Sequence, residues 1–102
     1  MTTGTVSPLT LSPIAAIRVI KDLAADSNNI VVIRHGKDRQ KQRGITRRQI
    51  ESCLRKGTIM EGPFMNSHGH WQVTLYRHSA GDELHCAVAI EWATRLLVIT
   101  AY

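Results

Sequence analysis

The chain of 102 residues is the length of one domain, and its hydrophobic and charged fractions, 43% and 21%, are those of an ordinary globular protein. No apolar run approaches the roughly 20 residues that span a bilayer, and the first residues lack a basic stretch followed by an apolar one, so the expected setting is cytoplasmic, away from any membrane. The net charge of +5 gathers in the middle of the sequence, which suits a polyanionic partner.

Residues 1–11, rich in Thr, Ser, Pro and Gly, read as a flexible N-terminal arm, leaving 12–102 as one domain. Ser12 as an N-cap and Pro13 as the first helical residue open a helix, which Ile14, Ile17, Leu23 and Ala24 carry to about Ala25. Asp26-Ser27-Asn28-Asn29 is a turn cluster, and Ile30-Val31-Val32-Ile33 is a short β-branched strand. Lys37 to Arg43 reads as a short basic helix stopped at Gly44. Thr46-Arg47-Arg48-Gln49 has the form of a capping box, with Ile45 and Ile50 placed as a hydrophobic staple. The helix it opens carries Ile50, Cys53 and Leu54 on one face and ends at Gly57. Nine of the thirteen basic residues lie between Arg34 and Lys56, opposed only by Asp38 and Glu51.

The second half reads as strands. Ile59 to Glu61 is a short strand before a loop, Gly62 to Gly69. Trp71 to His78 alternates, Ser79-Ala80-Gly81-Asp82 is a hairpin connection, Glu83 to Trp92 is the next strand, and Leu96 to Tyr102 is the last. These three predict an antiparallel meander with Glu83–Trp92 central. The whole order predicts an α+β domain with helices packed on one face of an antiparallel sheet.

Cys53 and Cys86 lie in apolar-periodic segments and read as two buried thiols. His68 and His70 form an H-x-H, but no Cys-x-x-Cys or His-Glu-x-x-His accompanies them, so neither metal nor small-molecule cofactor is expected. There is no nucleophile elbow, no glycine-rich phosphate loop and no paired carboxylate set. A DNA-reading helix-turn-helix over His35–Lys56 is disfavoured, because Lys37–Arg43 has almost no apolar face to pack. The central strand has two unlike faces. Leu84, Cys86, Val88 and Ile90 should meet the helices, while His85, Ala87, Ala89 and Glu91 face away. The alanines leave a shallow trough with His85 near one end, into which Gln72 of the neighbouring strand could point. Imidazole can serve there as general base or general acid. The plainer alternative stays open: the alanines let a helix approach, and His85 is a satisfied edge residue.

His35-Gly-Lys-Asp-Arg39, Arg43-Gly44-Ile45-Thr46, Ile50, Leu54, Gly57 and the terminal Val98-Ile99-Thr100-Ala101-Tyr102 resemble a widespread bacterial family of small uncharacterised domains, over roughly residues 30–102. That family stands near toxins of the RelE and MqsR type, in which helices back an antiparallel sheet and RNA is cut on the open face. Trp71-Gln72 followed by a strand with His85 is similar to the MqsR pattern. Gln72 then matches an active-site Gln, and His85 stands where that pattern has a catalytic Tyr. The loop lysine of the pattern is replaced here by Asn66, Ser67, His68 and His70. The resemblance implies a metal-independent endoribonuclease of the mRNA interferase type, held inactive by an antitoxin-like protein and acting on RNA, free or on the ribosome. Such cleavage needs a base for the 2′-OH, an acid for the leaving oxygen and cations for the phosphorane. His85, Gln72 and His35 are the catalytic candidates, and Arg39, Arg43, Arg47, Arg48, Arg77 and Lys56 the RNA-binding ones. The alternative is a non-catalytic nucleic-acid- or protein-binding module with the same fold.

Overall fold

The computed structural model describes residues 7–33, 44–79 and 81–102. The basic helix expected over Lys37–Arg43, with His35, Arg39 and Arg43, lies outside the described residues.

Capping chemistry starts both described helices where the sequence places it. In α1 (Pro13–Ala24) the Ala15 N–H donates to Ser12 Oγ at 3.1 Å, and Ala16, Ile20 and Ala24 form a fully buried stripe. A short 3₁₀ turn, Ser27–Asn29, is capped by Asp26, whose carboxylate accepts from the Asn28 N–H at 2.9 Å. It feeds β1 (Ile30–Val32). In α2 (Arg47–Lys56) the Gln49 N–H donates to Thr46 Oγ1 at 3.1 Å, and the Thr46 N–H donates to Gln49 Oε1 at 2.7 Å. Both halves of the box are made, each satisfying a donor the helix itself cannot.

Gly57 ends α2 for a reason of space. Its φ of −73° and ψ of 170° are open to any residue. A Cβ there would instead press on the Cys53 carbonyl oxygen and sit 2.9 Å from the Tyr76 carbonyl oxygen. Glycine thus lets the helix run straight into the next strand with its backbone against the sheet.

Four further strands follow: β2 (Thr58–Met65), β3 (Trp71–Ser79), β4 (Asp82–Glu91) and β5 (Arg95–Ala101). The sheet order is β1-β5-β4-β3-β2, so β4 is central as expected. The expectation of a purely antiparallel sheet is corrected. β1 pairs with β5 in parallel, Ile30 opposite Leu96 and Val32 opposite Val98, and the sheet is mixed. A three-residue apolar run carries no signal of direction; what it fixes is that Ile30 and Val32 point into the core. β2 also runs longer than Ile59–Glu61. It passes through Gly62, at φ 91°, and Pro63 by shifting its register against β3, which an edge strand tolerates.

The β3–β4 ladder is regular from Trp71 opposite Ile90 to Ser79 opposite Asp82. Val73, Leu75, Cys86, Val88 and Ile90 share one face and are buried against Ala16, Ile20, Ile50, Cys53 and Leu54 of the helices. Both described helices therefore lie on that face. Cys53 and Cys86 are free, buried thiols, and Cys53 Sγ donates to the Leu84 carbonyl at 3.8 Å; the neighbouring Cys53 thiol and burial push the Cys86 thiol up. Of the segment read as an arm, residues 7–11 are described: Pro8 O accepts from Trp71 Nε1 at 3.0 Å, and Leu11 packs on the core.

A polar clamp ties α2 to the α1–β1 junction. Glu51 accepts from Ser27 Oγ at 2.6 Å and from Arg47 Nε at 2.8 Å, and pairs with Arg55 at 3.2 Å. Arg47 also donates to the carbonyls of Ser27 (3.0 Å) and Ile30 (2.7 Å), and Arg55 to that of Ala24 (2.7 Å). The Ser27 hydrogen bond, followed by the two arginines, holds the Glu51 carboxyl below the usual value against the opposing effect of burial.

Two stability predictions follow from this geometry. Gly57→Ala should destabilise by about 2 kcal/mol, read by urea unfolding, because backbone rather than a flexible side chain must move. Glu51 has a depressed folded-state pKa, so its contribution is complete above the unfolded carboxylate pKa and disappears as pH falls through the folded one. Glu51→Gln should accordingly be less stable than the parent at neutral pH and converge with it as the medium becomes strongly acid; a constant gap across that range contradicts the assignment.

Candidate functional site

Strand alternation puts Gln72, Thr74 and Tyr76 of β3 and Glu83, His85, Ala87 and Ala89 of β4 on the face opposite α1 and α2. Among the described residues no helix covers it. Ala87 and Ala89, small and buried, form the floor of the expected trough between Gln72 and Thr74 on one side and Leu97 and Thr100 on the other.

At one end of this face three rings stand in a row. Tyr76 is directly opposite His85 in the ladder. Tyr102 extends β5 by one further pair, its N–H donating to His85 O at 2.9 Å and its carbonyl accepting from His85 N–H at 2.7 Å. The imidazole of His85 stacks on the Tyr102 ring, centroids 5.0 Å apart and planes 6° from parallel, while Tyr76 leans in at 5.1 Å and 54°. Such spacings are those of attractive ring pairs. Tyr76 Oη donates to Glu83 Oε1 at 2.7 Å, and this hydrogen bond, foremost, pushes the phenol pKa above its ordinary value. His85 is half-buried and Tyr102 exposed, so the row is open to a ligand.

Tyr102 reaches this face through a bulge. Val88 is opposite Val98, but Ala87 is opposite Thr100, leaving Ile99 as an extra residue in β5. Without it Tyr102 would fall on the helix face.

The expected site residues do not all meet. Gln72 shares the face with His85 but sits opposite Ala89, four residues along β3 from Tyr76, roughly 13 Å at strand rise. Its Oε1 accepts from Asn66 Nδ2 at 3.1 Å. Arg47 is committed to the clamp. Arg48 and Arg77 come together on the helix face, lining a hollow of about 250 Å³ with Ser52, Ser79 and Asp82. Lys56 lines a second hollow, of about 410 Å³, along α2 with Arg48 and Arg55. Arg48, Arg77 and Lys56 are thus on the helix side of the sheet, across from His85. His35, Arg39 and Arg43 lie outside the described residues. In the β2–β3 loop the backbone N–H groups of His68 and His70 both donate to Asn66 Oδ1, at 2.9 and 3.0 Å. No three His, Cys, Asp or Glu side chains gather as a metal site among the described residues.

Tyr76 and Glu83 were within reach of the sequence. Counting back from the Ser79–Asp82 hairpin places Tyr76 opposite His85 and Glu83 beside it. Tyr102 was not, because the bulge at Ile99 leaves no mark in the sequence pattern.

The fold and this site define a small α+β domain, its sheet backed by the two described helices and carrying a ring-bearing polar surface on the other side. Residues 24–102 match the model of the family described as Domain of unknown function (DUF4258), and the chain belongs to that family. Searches of curated proteins and of solved structures find no match. No described helix is long and apolar enough to cross a membrane.

The hydrogen bond to Glu83 sets the titration of Tyr76. Phenolate absorbance in a Tyr102→Phe background should show Tyr76 ionising above the ordinary range, and Glu83→Gln should bring it down; an unmoved titration would contradict that bond.

Proposed function

We propose that the protein is an RNA-binding domain of the RelE and MqsR toxin type, which cleaves RNA without metal at the open sheet face. The observation that carries this reading is the His85 ring, half-buried and stacked on Tyr102, with Tyr76 beside it. Unpaired RNA bases stack on aromatic faces, and an imidazole held there can move a proton to or from the 2′-OH or the leaving oxygen. Tyr76, hydrogen-bonded to Glu83, is a second proton-bearing group within the same row. Arg39 and Arg43 are the cations this reading assigns to the phosphorane, and an acidic antitoxin-like protein is the partner it implies.

Purified protein incubated with RNA or with translating ribosomes should cleave it. His85→Ala should lower the rate by about 100-fold or more, the usual worth of a positioned acid or base. Induced expression should arrest growth only with His85 intact. No cleavage by the parent, or equal cleavage by the variant, contradicts the enzyme.

One observation favours a second reading, a binding module without turnover: the arginines that come together, Arg48 and Arg77, are across the sheet from His85. In that case RNA affinity falls steeply with salt, Arg48→Glu weakens it, and no product forms at any His85 genotype.

A further inference from the structure

Two hollows adjoin at the start of β4. One, of about 250 Å³, lies on the helix face between Arg48 and Ser52 of α2 and Arg77 and Ser79 of β3. The other, of about 240 Å³, reaches from Gln49 past Glu83 to Tyr102, whose ring stacks on His85. Gln49, Asp82 and Leu84 line both, so each hollow continues into its neighbour. The sheet explains the passage. Pairing between β4 and the β5 side ends with His85 opposite Tyr102, and no described residue pairs with Asp82–Leu84 on that side. The groove crosses from one face to the other at this strand edge, which no described residue covers.

Its chemistry differs from end to end. Arg48 and Arg77 form no salt bridge among the described residues, although Asp82 lines the same hollow. Arg77 Nε is buried without a hydrogen-bond acceptor among the described residues, and a buried donor of this kind gains much from an oxyanion. A guanidinium fork matches two oxygens of a phosphate, and Ser52 and Ser79 add hydroxyls. At the far end Tyr102 is 41% exposed and offers ring surface to a flat group.

We propose that this groove carries a single-stranded nucleic acid around the start of β4, with a backbone phosphate between Arg48 and Arg77 and a neighbouring base against Tyr102. That the strand is RNA rests on the function proposed above.

The test is fluorescence anisotropy of a short single-stranded oligoribonucleotide with the full chain, across a salt series. Arg48→Gln and Arg77→Gln should each weaken binding about tenfold and reduce the salt slope by about one, the signature of a lost phosphate contact. Tyr102→Ala should weaken binding at unchanged slope, and Asp82→Asn should strengthen it. Arg77→Lys keeps the charge and should keep the slope, which separates lost charge from local misfolding. Unchanged affinity and slope in both arginine variants, with His85→Ala still weakening binding, would sink the groove and leave the open-face reading standing. Loss in the arginine variants with His85→Ala inert in binding and cleavage would uphold the groove and sink that reading. Inorganic phosphate shifting the Arg77 Nε resonance, with no oligonucleotide bound, would assign the hollow to a phosphorylated ligand of another class and overturn the proposal.

Discussion

The unbroken ladder between β3 and β4 is the constraint on which the rest depends. From Trp71–Ile90 to Ser79–Asp82 no residue is skipped, so each strand keeps one set of side chains for the core and another for the opposite surface. A slip of one position would exchange the two sets, bringing His85 and Tyr76 among the helices and Cys86 and Leu75 out to water. The burial of Val73, Leu75, Cys86, Val88 and Ile90 makes that slip costly. The ring row is in this sense a by-product of core packing: the same alternation that hides the aliphatic residues aligns Tyr76 with His85.

Helix α2 is held by different means. Its apolar side is only Ile50, Cys53 and Leu54, and much of its seating comes from Glu51 and two arginines reaching to backbone carbonyls of the preceding elements. Not every cation in a basic stretch is therefore available to a ligand. Arg47 and Arg55 are engaged at the α1–β1 junction, while Arg48, one position on, turns toward β3. The hollow shared with Arg77 takes Arg48 and not Arg47 because consecutive helical residues are turned about 100° apart.

Much of the fold was legible in local chemistry. Ser12-Pro13, the Thr46–Gln49 box and the Ser79–Asp82 hairpin each state a boundary through a specific satisfied group, and the alternation in β3 and β4 states which side is buried. The direction of β1 was not legible, since three β-branched residues fit a parallel or an antiparallel neighbour equally well. Nor was the length of β2, where Gly62 and Pro63 look like loop residues and are accommodated by register shifts. For the site, His85 and its face were legible from the alanine pattern. The place of the α2 arginines was legible too, since the same pattern puts the bulky side toward the helices and so the helix cations beyond the sheet. Tyr102 stayed hidden because an inserted residue reverses the parity of everything after it.

The outer strands bear on how copies of the chain behave when crowded together. β2 presents Met60, Phe64 and Met65 to solvent, an apolar border that would ordinarily invite a second molecule to add a strand. Pro63 withholds a donor there, and two register irregularities break the regular spacing of the remaining groups. At the other border β1 offers three residues among those described, too few for a stable intermolecular ribbon. The protein can therefore keep sticky side chains at its margin while its main chain discourages fibrillar self-assembly.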